Sequence, residues 1–191
     1  MRVLVVGASG AIGTRLVPQL IERGHEVAGT FRSAGNAERV RALGAEPITL
    51  DLLDARAVRR TVLETGPEAI VHQATALANV RFARSLDRSF ALTNRLRTEG
   101  TDALLDAAEE AGVRRFVAQS FASYRYAQEG GPVKTEDDPL DPHPPAMARE
   151  TNAAMTPASQ VGTWRGGFAP SALASAGSHS LIGAGSSSAM L

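Results

Sequence analysis

Gly7-Ala-Ser-Gly10-Ala-Ile-Gly13 follows the apolar run Val3-Leu-Val-Val6 and opens a stretch with helical spacing. Each glycine has a physical reason in a strand–turn–helix. Gly7 lets the chain turn sharply out of the strand. Gly10 lets the backbone approach a pyrophosphate with no Cβ in the way. Gly13 lets the helix pack closely on the strand. Backbone N–H groups and the positive end of the helix then face an anion. The spacing is G-x-x-G-x-x-G, not the more familiar G-x-G-x-x-G. An ordinary glycine-rich turn is the plain alternative. The strand before it and the helix after it favour a nicotinamide-dinucleotide turn, with Gly7, Ser9, Gly10, Ala11, Ile12 and Gly13 as its binding residues.

Beyond this turn, helix and strand patterns alternate. Ala11–Arg23 has Ile12, Leu16, Leu20 and Ile21 on one side, and Gly24 sits where a helix ends. Glu26–Phe31 is a second strand and Ala37–Leu43 a short helix closed by Gly44. Pro47–Leu50 is a third strand, followed by a helix over Ala55–Thr65 that Gly66-Pro67 ends. Ala69–Gln73 is a fourth strand. One long helix is predicted over Ser89–Ala111, stopped by Gly112, and Arg115–Gln119 is a fifth strand. Such alternation predicts an α/β fold with a doubly wound parallel sheet, Rossmann-like. Right-handed crossovers put the carboxyl ends of all the strands on one edge, where ligands bind.

Two further positions lie at that edge. The second strand ends at Thr30-Phe31-Arg32 with no acidic residue to accept from a ribose 2′-OH. Arg32 could instead pair with a 2′-phosphate, so the pattern points to NADP, with NAD as the alternative and a solvated surface arginine as the plain reading. Asp51-Leu52 lies where the adenine would sit. Asp51 could equally cap the next helix, a role open to Asp54 as well.

Bulk properties limit the remaining choices. The chain has 191 residues, 20 basic and 20 acidic, and no cysteine. That balance favours neither nucleic acid nor an anionic membrane surface, and thiol and disulfide chemistry are excluded. No metal site is expected. The start does not read as a secretory signal and no apolar run is long enough to span a bilayer, so a soluble, cytoplasmic protein is expected. Lys134 is the only lysine. The alternation fails after Gly130. Residues 1–130 read as the dinucleotide-binding domain, and 131–156 as a Pro-rich loop with a short helix over Ala146–Met155. Residues 157–191 are low-complexity Ser, Gly, Ala and Pro, with Arg165 as their only charge, and are expected to form a poorly structured tail.

Several motifs together resemble the extended short-chain dehydrogenase/reductase superfamily, in its NAD-dependent epimerase/dehydratase branch. They are the glycine turn, Asp51-Leu-Leu-Asp54, Val71-His72-Gln73-Ala74, Asn94 with Glu99-Gly100-Thr101, and Arg115-Phe-Val-Ala-Gln-Ser120. The resemblance covers about Met1 to Met147. It implies that His72, Gln73, Ala74 and Thr75 run along the cofactor, and that Asn94 lies on a helix flanking the active site. Read from the residues alone, His72 is a strand-end histidine satisfied in the core, and Asn94 a polar helix position. The family usually carries Ser/Thr with Tyr-x-x-x-Lys, a phenol whose pKa a nearby cation lowers so that it can move a proton. This chain has no Tyr-x-x-x-Lys: Gly130 stands four residues before Lys134, and Met147 and Thr151 fall at the dyad positions. Ser120, Ser123 and Tyr124 remain as catalytic candidates, with Phe121 nearest the serine position and Tyr126 as a second phenol. An aromatic packed on the cofactor pocket is the plain reading of the tyrosines.

The expected function is an NAD(P)-dependent oxidoreductase or epimerase acting on a small carbonyl or sugar-like substrate. The alternatives are a non-catalytic NADP sensor and an inactive truncated fragment, since the abrupt change near Thr151 reads as a lost reading frame. No nucleic-acid or membrane partner is expected. The long helices leave room for a homodimer.

Overall fold

A computed structural model of the chain describes residues 1–78 and 86–119. Beyond these it describes 126–127, 129–131, 133–135, 138–143, 145–146, 149–151 and 153–154. Ser120, Phe121, Ser123, Tyr124, Met147 and the tail over 157–191 lie outside the described residues.

Among the described residues, the named strands and helices follow in the order β1 Arg2–Val6, α1 Gly13–Glu22, β2 Glu26–Phe31, α2 Ala37–Ala42, β3 Glu46–Thr49, α3 Ala55–Thr65, β4 Ala69–His72, α4 Leu86–Arg97, α5 Glu99–Glu110 and β5 Arg115–Ala118. A 3₁₀ turn at Ala34–Asn36 leads into α2. The strands form one sheet in the order β3-β2-β1-β4-β5. Every pairing is parallel, with Val6 opposite both Thr30 and His72. This is the doubly wound Rossmann-like sheet that the alternation predicts. The chain leaves β1 towards β2 and β3, then crosses back to β4. The strand order therefore reverses between β1 and β4, and a crevice opens at their carboxyl ends.

Both faces of the sheet are buried, as a parallel sheet requires. On one face Val3, Val5, Val27 and Phe31 pack with Val17 and Val40. On the other, Leu4, Val6, Ile70 and Phe116 pack with Val58, Val62, Leu96 and Leu104. Alternate residues of β1 thus feed opposite cores, following the period of two in a strand.

Helix ends explain the agreement at α3. The Asp54 carboxylate accepts from the N–H groups of Arg56 at 3.0 Å and Ala57 at 3.1 Å. Gly66 closes the helix in the left-handed region with φ 52°. Asp54, not Asp51, is therefore the N-cap.

Two expectations need correction. The first helix begins at Gly13 rather than Ala11, because Gly10 to Ile12 still belong to the turn. The long helix predicted over Ser89–Ala111 is two helices, divided at Thr98 with φ −94° and ψ −81°. Thr98 Oγ1 donates back to the Asn94 carbonyl at 3.0 Å, the kind of side-chain bond that bends helices.

After β5, Tyr126 and Leu140 form an isolated antiparallel bridge, and the Ala127 N–H donates to the Pro139 carbonyl at 2.9 Å. Residues 149–151 and 153–154 are helical, and Thr151 and Ala154 are buried.

Candidate functional site

The turn after β1 is tied to its neighbours on both sides. The Ala8 N–H donates to the Thr30 carbonyl at 2.9 Å, and the Gly7 N–H to Thr30 Oγ1 at 3.3 Å. Across the crevice, the Gln73 N–H donates to the Val6 carbonyl at 2.8 Å. Gly7 has φ 91°, and a Cβ there would lie 2.8 Å from the Ala74 backbone. A side chain at Gly13 would come within 2.5 Å of the carbonyl oxygens of Gly7 and Ala8. These two glycines build the turn. Gly10 differs: it is exposed, and a Cβ would meet only the Gly7 carbonyl, at 3.2 Å. Among the described residues, the N–H groups of Ser9, Ala11 and Ile12 meet no acceptor. A row of free donors at the start of α1, over a glycine with no side chain, suits a pyrophosphate.

Of the other candidates from the sequence, those among the described residues stand along the same edge, while Ser120, Ser123 and Tyr124 lie outside the described residues. Arg32 is exposed directly after β2, and Asp51 is exposed after β3. The Asp51 carboxylate accepts from the Leu53 N–H at 3.0 Å and so holds its own turn. The Leu52 side chain is buried in the core, where a Cβ on Gly100 would lie 2.7 Å from its Cγ. Gln73, Ala74 and Thr75 are half-buried beyond β4, opposite the glycine turn.

His72 has a structural explanation. It is buried; its Nε2 donates to the Leu96 carbonyl at 3.2 Å, and its Nδ1 accepts from the Ala74 N–H at 3.3 Å. Both nitrogens are used, which fixes the neutral tautomer. Burial drives its pKa down to about 4, against the opposing bond to Leu96 and assisted by the positive charge of Arg97. At neutral pH it is a fixed cross-link from β4 to α4, as the residue-level reading expects.

The α4 helix gathers the remaining polar groups. Thr93 Oγ1 accepts from the Ala76 N–H at 3.0 Å and positions the chain after β4. Asn94 Nδ2 donates to Thr151 Oγ1 at 3.2 Å. Thr151 in turn donates through both its N–H and its Oγ1 to Asp87 Oδ1, each at 3.0 Å. Thr151 is thus brought to the flank of α4, with its hydroxyl fully engaged. Reading the sequence missed Asp87 and Arg97. Nothing in their spacing marks an aspartate as the anchor of a segment 64 residues away, or an arginine as buried.

The fold and the crevice define a Rossmann-type protein with a glycine turn at its topological switch point. The chain belongs to the NAD dependent epimerase/dehydratase family, which it matches over residues 3–148. It is similar to a 3-diazoavenalumate denitrifying reductase from Streptomyces sp, 46% identical over 73% of this chain and 44% of the relative. It is also similar to the UDP-glucose 4-epimerase of Mycolicibacterium smegmatis, 35% identical over 78% of this chain and 47% of the relative. Among solved structures it resembles the Thermus thermophilus UDP-glucose 4-epimerase complex with NAD. That likeness has TM-score 0.65 and 30% identity over 85% of this chain and 51% of that one. The Brucella ovis enzyme in complex with NAD shares the fold at TM-score 0.69. The chain spans about half the length of the Streptomyces and Mycolicibacterium relatives. Among the described residues no helix is long and apolar enough to cross a membrane.

Proposed function

We propose that this chain holds a nicotinamide dinucleotide across the β1–β4 crevice, and that it serves an NADP-dependent oxidoreductase or epimerase acting on a small carbonyl or sugar-like substrate. The observation that carries this reading is the glycine turn, with its free N–H groups at Ser9, Ala11 and Ile12 and the bare backbone of Gly10. These groups would hold the pyrophosphate. Asp51 and Leu52 would flank the adenine, and Gln73 to Thr75 would run towards the nicotinamide. Arg32, exposed where an NAD site would carry a carboxylate, would pair with the 2′-phosphate. When bound in its reduced form, such a cofactor supplies a hydride. Ser120, Ser123 and Tyr124 remain the candidates for orienting a substrate.

One observation favours the reductase over the epimerase. The sequence carries no Tyr-x-x-x-Lys, and the Thr151 hydroxyl at the lysine position is already bonded to Asp87 and Asn94. Reduction of a carbonyl leaves an alkoxide that needs a proton. The Streptomyces relative is by its name a reductase of a diazo compound. In the cationic arenediazonium form of such a compound the ring carbon takes a hydride from the reduced cofactor, forms a C–H bond and releases dinitrogen. That balance requires no enzyme proton.

Fluorescence titration with NADPH and NADH tests the cofactor. NADPH is expected to bind more tightly, and Arg32→Ala to weaken NADPH about tenfold or more while leaving NADH unchanged. Absence of binding by either dinucleotide at millimolar concentration overturns the reading. Deuterium transfer from [4-²H]NADPH to an arenediazonium, compared with a matched ketone, then tests the reductase.

A further inference from the structure

Arg97 ends α4 on its buried face. It follows Thr93, Asn94 and Leu96, and only 6% of its surface is exposed. A guanidinium cannot shed its charge as a buried lysine or histidine can, and its five donors need acceptors. Among the described residues it has no ion pair and no hydrogen bond, and its Nε is fully shielded from solvent. The arginines that have acidic partners among the described residues behave differently: Arg2, Arg41, Arg59, Arg95 and Arg114 pair with Glu46, Glu38, Glu110, Glu99 and Glu68 at the surface. The titratable group beside it is His72, held neutral, so it offers no compensation. Burial accordingly pulls the Arg97 pKa below its ordinary value, with no anion to oppose it. Outside the described residues, the only carboxylate side chains in the sequence are those of Glu136 and Asp137.

A second unmet group lies one turn earlier on the same helix. Asn94 commits Nδ2 to Thr151, and its Oδ1 is buried with no donor. Residues three apart on a helix share a face. An orphaned cation and an orphaned acceptor therefore share one face of α4, the helix that His72 ties to the end of β4 through the Leu96 carbonyl.

We propose that Arg97 anchors an oxyanion, a carboxylate or a phosphate group of a ligand that also presents an O–H or N–H to Asn94. The planar fork of the guanidinium matches either group with two parallel bonds. On this reading the buried cation is a binding group that is kept unpaired within the chain. The inference rests on its own chemistry and not on the proposed crevice.

The test measures thermal unfolding at constant ionic strength, with and without saturating NADPH, while acetate, glycolate or inorganic phosphate replaces chloride. A saturable rise in Tm with acetate and glycolate identifies a carboxylate site, and one with phosphate identifies a phosphate site. Glycolate is expected to act at lower concentration than acetate, through its hydroxyl on Asn94. Arg97→Met and Arg97→Gln should lose the response, and Arg97→Lys should weaken it about tenfold. In chloride alone, Arg97→Met should raise Tm, because it replaces an unpaired buried charge with an apolar side chain. A fall in Tm for Arg97→Met would mean that a partner within the chain already holds the arginine, and would overturn the proposal. So would an anion response equal to that of chloride, or one unchanged in all three variants. An anion response abolished by NADPH would place the oxyanion on the dinucleotide and overturn a separate ligand. Should NADPH fail to bind, the cofactor reading falls and the anion titration still decides on Arg97.

Discussion

At the scale of single residues, the glycines of the turn separate folding from binding. Gly13→Ala forces a Cβ against two backbone oxygens that cannot swing aside. It is expected to destabilise the fold by about 1–3 kcal/mol, read by urea denaturation. Gly10→Ala has only one near neighbour and an exposed position, so stability should change little while dinucleotide affinity falls in a fluorescence titration. His72 gives a pH signature. Its folded pKa of about 4 lies below the ordinary 6.5, so between these values the unfolded chain binds more protons than the folded one. Stability is therefore fully present above pH 6.5 and is lost as pH falls towards 4. Relative to His72→Asn, the wild type should lose about 2 kcal/mol between about pH 7 and about pH 5 in urea titrations. These residues differ in how far the sequence revealed them. The glycines were legible because their neighbours in sequence define the turn. The burial of Arg97 and the anchoring role of Asp87 were not, because each depends on residues far along the chain, and an arginine or aspartate on a helix ordinarily faces water.

At the scale of elements, α3 was legible to the residue because Asp54 and Gly66 mark both of its ends. The strands were legible to within a residue at each end, because apolar runs between turn signals leave few registers. The division at Thr98 was not. Every residue from Ser89 to Ala111 is compatible with a helix, and the back-bond from Thr98 is a geometric choice without a propensity signal. Beyond that bend, Gly100 lets α5 close on Leu52, which belongs both to the core and to the proposed adenine flank. Gly100→Ala must displace Leu52. It is expected to destabilise the fold by about 1–3 kcal/mol and to weaken dinucleotide binding as well, whereas Leu52→Ala should leave room for the new methyl. A double-mutant cycle on these two positions, read by denaturation and by titration, checks the coupling.

At the scale of the whole molecule, the two faces of the sheet are not equivalent in sequence. One core draws almost all of its members from between Val3 and Ala45, with Ala69 as the late addition. The other combines Leu4 and Val6 with residues as distant as Phe116 and Ala118. Both meet on β1, which is the first strand in the chain and the middle strand in space. The order of emergence from a ribosome is therefore written into the sheet. One side of β1 can be covered as soon as α1, β2 and α2 are out, while its other edge stays open until β4 has been made. A chain arrested after Leu50 is expected to protect Val17 and Val40 from protease while leaving Leu4 and Val6 accessible, and one arrested after Ala118 to protect all four. Equal protection at both lengths would contradict this order. The glycine turn lies in the early half and Gln73 to Thr75, opposite it, in the late half, so the proposed cofactor crevice would be complete only when the second side of the sheet has closed.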